Sequence, residues 1–239
     1  MTVSTRHYEY QDDGVTCEGF VAVPSGGGKR PCVLIAHQWA GLIDHERGTA
    51  ERLALNGYVG FAIDIYGKGR RGEPMADNSH LMNPFLQDRA MLRRRLLAAL
   101  AAAQAHPDVD AARIAIMGYC FGGLCALDLA RSGTSDVRGA VSVHGIFAPP
   151  GLGDQPAIPA KILVLHGWDD PMATPDAVVG LARELSGAGC DWQLHAYGNT
   201  MHAFTAVGAN APQNGIMYNA DADRRSWQAT LNFLAELFG

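Results

Sequence analysis

A thiol, a pair of carboxylates and an imidazole follow one another in an order that suits acyl transfer. Cys120 stands in Gly118-Tyr119-Cys120-Phe121-Gly122-Gly123, a carboxylate pair in His166-Gly167-Trp168-Asp169-Asp170-Pro171, and an imidazole in Asn199-Thr200-Met201-His202-Ala203-Phe204. A thiolate attacks a carbonyl carbon, an imidazole carries the proton, and a carboxylate orients the imidazole. The thiol follows the apolar run 113–117 and precedes the helix-forming run 124–130, which predicts a sharp strand-to-helix turn with Cys120 at its apex. Such a turn crowds the flanking backbone, which favours Gly118 and Gly122. The positive end of the helix that follows stabilises a thiolate. Taken alone, the segment Gly118 to Gly123 could also be a tight turn holding a buried thiol.

Positioning these groups requires a particular set of elements. The runs 32–36, 59–63 and 114–117 are short, apolar on both faces and separated by helical patterns, as buried parallel strands are. Residues 138–143 and 162–165 continue the series, and 192–197 is a last, more amphipathic strand. An antiparallel hairpin opens the chain, with strands around 8–10 and 17–23 and turn chemistry at Asp12-Asp13-Gly14. Helices are predicted at 47–56, 85–105, 122–131, 175–186 and 222–238. Residues 206–220 lack pattern and read as a loop that walls or covers the site. Alternating strands and helices predict an α/β fold with a mostly parallel central sheet flanked by helices.

In such sheets the ligand crevice lies beyond the carboxyl ends of the strands, where the thiol, the carboxylates and His202 all fall. Nucleophile, acid, base along the chain is the α/β-hydrolase order. Of the two acids, Asp170 has the spacing of that class, three residues past Gly167, which leaves Asp169 as a turn or cap residue. The oxyanion requires two backbone N–H groups. Phe121 supplies one, and Trp39, in His37-Gln38-Trp39-Ala40-Gly41-Leu42 after the 32–36 strand, supplies the other. His37 and His166 end strands on the same side and could line the cleft. His7, His80, His106, His144 and His195 take structural or solvent roles. No His pair at helical spacing accompanies a carboxylate cluster, so no metal is expected.

With Gly118 to Gly123, His37 to Leu42, Asp64-Ile65-Tyr66-Gly67, Asp170 and His202 in order, the chain resembles the dienelactone hydrolase family over nearly its whole length. The resemblance implies a single α/β-hydrolase domain, 1–239, without a large cap domain. It also implies a Cys120 nucleophile, Asp170 orienting His202, and hydrolysis of an ester or lactone through an acyl-thioester with no cofactor. Two departures stand out. The family's best-studied members carry a Glu that helps to activate the thiol where this chain has Gln38, an amide that cannot take a proton. They also hold a substrate carboxylate with an Arg two residues after the Phe, where this chain has Ala206. Arg47, Arg70 and Arg71 are candidates for a replacement anion site, against the default of surface arginine.

Composition narrows the alternatives. At 239 residues, 48% hydrophobic and 18% charged, the chain has the make-up of a globular domain, and no apolar run reaches membrane length. A net charge of −5 argues against nucleic acid. The basic run Arg93-Arg94-Arg95 reads as a solvated helix face. Five scattered cysteines and no apolar leader point to reduced thiols and a cytoplasmic location. The expected partner is a small-molecule ester or lactone, with the oligomeric state left open. A thioesterase, an acyl transferase and a catalytically silent ligand-binding protein remain as other readings of the same residues.

Overall fold

The computed structural model describes residues 2–74 and 76–239. Their backbone contacts gather into two compact units, one formed by the chain up to Met117 with Pro150–Gly153, the other by Gly118–Pro149 with Asp154–Gly239.

In the first unit, β1 (Val3–Asp12) and β2 (Val15–Pro24) form the expected hairpin. Asp13 and Gly14 both take positive φ, 49° and 76°, as a tight two-residue hairpin turn requires. Next come β3 (Arg30–Ala36), α1 (Asp44–Leu55) and β4 (Val59–Ala62). β4 is parallel to β3, with Cys32 opposite Val59, and antiparallel to β2, with Phe20 opposite Ala62. A Cβ on Gly60 would lie 2.3 Å from the Ala50 carbonyl oxygen, so glycine lets α1 press directly on β4. α2 (Ser79–Gln87), α3 (Arg89–Ala105) and β5 (Val109–Tyr119) complete the order β1-β2-β4-β3-β5.

Two expectations are corrected here. The helix predicted over 85–105 is two helices, because Asp88 leaves helical geometry and its Oδ1 caps α3 by accepting the Met91 N–H at 2.8 Å. Nor is the basic run a uniformly solvated face, since Arg95 is buried. Its guanidinium donates to Asp12 Oδ2 at 2.6 Å and to the Ile65 carbonyl at 2.7 Å. Burial works against the Asp12 carboxylate, but hydrogen bonds from Arg95 and Arg94 hold its pKa below the ordinary value.

The second unit contains α4 (Phe121–Arg131), β6 (Gly139–Val143), β7 (Lys161–Gly167), α5 (Pro175–Gly187) and β8 (Trp192–Tyr197). The short β9 (Asn210–Ala211) and β10 (Ile216–Met217) follow, then α6 (Ala220–Phe238). β6, β7 and β8 are parallel neighbours, with Ser142 opposite Val164 and Leu165 opposite His195. β6 is buried throughout and β7 from Ile162 onward, which is why they read as unbroken apolar runs. The patternless segment 206–220 folds into the antiparallel β9–β10 pair around a 3₁₀ turn. With parallel strands in both units and six helices beside them, the fold is the expected α/β-hydrolase class. Among the described residues no helix is long and apolar enough to cross a membrane.

Candidate active site

Cys120 joins β5 to α4 at φ 56° and ψ −116°, a conformation that side chains other than glycine rarely adopt. The surrounding sequence tolerates it because Gly118 has no side chain: a Cβ there would sit 2.1 Å from the Gly122 carbonyl oxygen. α4 starts at Phe121, so its dipole and first N–H groups lie at the sulfur's own residue. Cys120 is half-buried, whereas Cys17, Cys32 and Cys125 are fully buried.

Asp170 and His202 sit on loops stitched together. The Trp168 and Asp169 N–H groups donate to the Tyr197 and Thr200 carbonyls, each at 2.9 Å. A Cβ on Gly167 would approach the Thr200 carbonyl oxygen to 2.6 Å, so glycine at the end of β7 admits the crossing loop. Asp169 is left exposed and Asp170 is buried. The Asp170 Oδ2 accepts the Nδ1 proton of His202 at 2.7 Å, and its Oδ1 accepts the Met172 N–H at 2.8 Å. His202 is pinned from the other side by β10. Its N–H donates to the Gly215 carbonyl at 2.9 Å, and its carbonyl accepts the Met217 N–H at 3.1 Å. The segment read as a wall or lid therefore holds the imidazole.

With Nδ1 committed to Asp170, Nε2 is the remaining ring nitrogen of His202. It is buried and has no fully formed hydrogen bond. Burial, the largest single influence, disfavours the imidazolium, but the charge of the Cys120 sulfur, hydrogen bonding to Asp170 and to that sulfur, and the Asp170 charge together outweigh it and raise the pKa to about 10. The ring therefore carries its proton at neutral pH whenever the sulfur is anionic.

His144, assigned a structural or solvent role from sequence, stands beside both groups. It is buried, at φ 37° just past β6, and its Nδ1 lies 3.1 Å from the Cys120 nitrogen. Its Nε2 is 2.8 Å from Thr205 Oγ1, and its ring meets those of His202 and Phe204 edge-on, each at 5.1 Å between centroids. The strand-end rule that picked out His37 and His166 applies equally to His144. His166 is buried, and burial lowers its pKa.

Gln38 and Trp39 belong to the first unit. The Gln38 N–H donates to Glu46 Oε1 at 3.3 Å, and its carbonyl accepts the His37 Nδ1 proton at 2.7 Å. The Trp39 carbonyl accepts the Tyr66 hydroxyl at 3.0 Å. Glu46, which the sequence presents only as an acidic residue in a helical first turn, is buried and also takes the Ile43 N–H at 3.0 Å on Oε2. Burial raises its pKa to about 7. Of the arginines considered for anion binding, Arg71 is engaged by Asp64 and by the carbonyls of Leu42, Gly67, Arg70 and Glu18. Arg70 donates to the Tyr66 carbonyl, and Arg47 pairs with Asp44. Among the described residues no group of three or more His, Cys, Asp or Glu side chains could hold a metal ion.

The sequence model described as the dienelactone hydrolase family matches residues 17–238. A protein of Aquifex aeolicus named "Putative carboxymethylenebutenolidase" is 26% identical, over 94% of this chain and 95% of its own. Among solved structures, a dienelactone hydrolase-like promiscuous phosphotriesterase, P91, from metagenomic libraries is 35% identical. It covers 100% of both chains with a TM-score of 0.94. A dienelactone hydrolase structure from Klebsiella pneumoniae, also named as putative, is 23% identical, covers 98% of this chain and 99% of its own, and has a TM-score of 0.80, a likeness of fold.

Proposed function

The chain belongs to the dienelactone hydrolase family, and on that premise we propose that it hydrolyses activated esters or lactones through a Cys120-His202-Asp170 triad. The observation that carries this reading is the buried 2.7 Å contact between His202 Nδ1 and Asp170 Oδ2. It leaves the charged Nε2 edge of the ring toward the sulfur at the turn. We read residues 1–239 as one catalytic domain, because the family match runs through both compact units.

The Cys120 thiolate adds to the carbonyl carbon, and the developing oxyanion is held by the Phe121 N–H, with the Trp39 N–H as the second donor assigned from sequence. Collapse breaks the bond to the leaving oxygen, which takes the proton from His202 Nε2 and leaves an acyl-thioester. Water then attacks that thioester as His202 accepts its proton. The acid departs and the thiolate and imidazolium are restored. The ion pair takes over the thiol activation that Gln38, a neutral amide, cannot provide.

Replacing Cys120 by Ala tests the assignment. Turnover of p-nitrophenyl acetate should vanish while the thermal melt stays near that of the parent. A folded C120A enzyme that still turns over would exclude the thiol as nucleophile. The likeness to P91 favours a second reading, in which the same thiolate also attacks the phosphorus of a triester with an aryl leaving group. Release of p-nitrophenol from paraoxon, lost in C120A, would support it.

A further inference from the structure

We infer that His144 is a positioning residue for the nucleophile, holding the Cys120 peptide and tying it to the loop that carries the base. The Cys120 N–H points at two acceptors, the Val143 carbonyl and His144 Nδ1, each at 3.1 Å. One acceptor satisfies an amide, so the imidazole adds direction rather than mere compensation. To accept there, Nδ1 must be bare. The ring proton then sits on Nε2 and donates to Thr205 Oγ1, 2.8 Å away.

Thr205 lies three residues past His202, on the same loop. The imidazole thus spans from the backbone of the attacking residue to the base's own segment, while its ring packs edge-on against the His202 ring. A neutral ring is suited to this place, since a second cation would oppose the proton that His202 carries. The site is also built at a conformational cost. His144 holds φ 37°, and the next residue is a glycine, where a Cβ would fall 2.2 Å from Ser142 Oγ. Sulfur and oxyanion donor stand on consecutive residues, so a rotation of the Cys120 peptide misdirects both at once. Errors of about 1 Å in such groups cost on the order of a hundredfold in rate.

The inference rests on the reading of Cys120 as nucleophile, and the experiment separates the two. In H144F an aromatic ring stays and both nitrogens go. In H144N the Oδ1 can replace Nδ1 as acceptor, and Asn tolerates positive φ. With p-nitrophenyl acetate, H144F should lose at least about tenfold in kcat with KM nearly unchanged, and alkylation of Cys120 by iodoacetamide should slow. H144N should return most of both. A folded H144F with parental kcat and alkylation rate, or H144N falling as far as H144F, would overturn the proposal. If H144F does not fold, T205V keeps the ring and removes its outer anchor; a few-fold loss in kcat supports the inference and an unchanged kcat overturns it. Should C120A retain full turnover, the nucleophile reading fails. The alkylation rate of Cys120 in H144F and H144N would still report on the hydrogen bond.

Discussion

Asp170 Oδ2 lies 2.7 Å from His202 Nδ1, with both residues 2% exposed. The contact fixes which nitrogen carries the permanent proton and turns the other toward Cys120. Replacing Asp170 by Asn removes the negative charge and offers the ring an amide that can favour the wrong tautomer. We expect kcat to fall by about ten-thousandfold, as loss of the orienting acid does in serine triads. Because the Asp170 charge and hydrogen bond both help to raise the His202 pKa, the alkaline limb of the rate profile should also move to lower pH. An unchanged profile in folded D170N would remove Asp170 from the mechanism.

The raised pKa of His202 makes a second prediction about pH. A base whose folded pKa of about 10 exceeds its ordinary 6.5 contributes stability that is complete below the lower value and disappears as pH rises through the upper. Thermal stability should therefore decline as pH rises from about 7 toward 10, and the H202Q variant should lose that part of the decline. Parallel curves for the parent and folded H202Q over this range would show that His202 does not carry the raised pKa.

The leaving group is expected to govern substrate choice. A tetrahedral adduct on sulfur can expel either the thiolate or the alcohol oxygen, and the thiolate leaves more readily than a simple alkoxide. Forward reaction then depends on a stabilised leaving oxygen or on protonation by His202. For p-nitrophenyl acetate, kcat/KM should exceed that for ethyl acetate by at least about a hundredfold. Comparable values would mean that acylation is not limited in this way.

What the sequence made legible were features written in local pattern. Continuous apolar runs identified the buried parallel strands, and Gly118-Tyr119-Cys120 identified the turn, because its strain is relieved by a glycine next door. The order of thiol, acid and base located the loops. What stayed hidden depends on contacts made far along the chain. Arg95 looked solvated because its partner, Asp12, lies 83 positions away. His144 looked incidental because what it binds is a backbone N–H, which leaves no mark in residue type. The break at Asp88 was missed because a capping Asp inside a long helical pattern resembles one more polar surface residue.

Glu46 provides the last prediction. Its carboxylate spans the segment 38–43, with Oε1 on the Gln38 N–H and Oε2 on the Ile43 N–H, and burial raises its pKa from 4.5 to about 7. The folded protein therefore holds a proton on Glu46 over a range in which the unfolded chain has already released it. Stability should fall as pH rises from 4.5 to 7 and then level off, by about 3 kcal/mol if this group acted alone. Replacing Glu46 by Gln abolishes the titration but turns an amide N–H toward one of the two donors, so the variant starts less stable at pH 5. The difference between the urea-denaturation free energies of parent and variant should then shrink from pH 5 to about 7 and stay constant to pH 8, where the parent has lost its advantage. If the parent and E46Q follow parallel curves between pH 5 and 8, the Glu46 carboxyl does not titrate in that window.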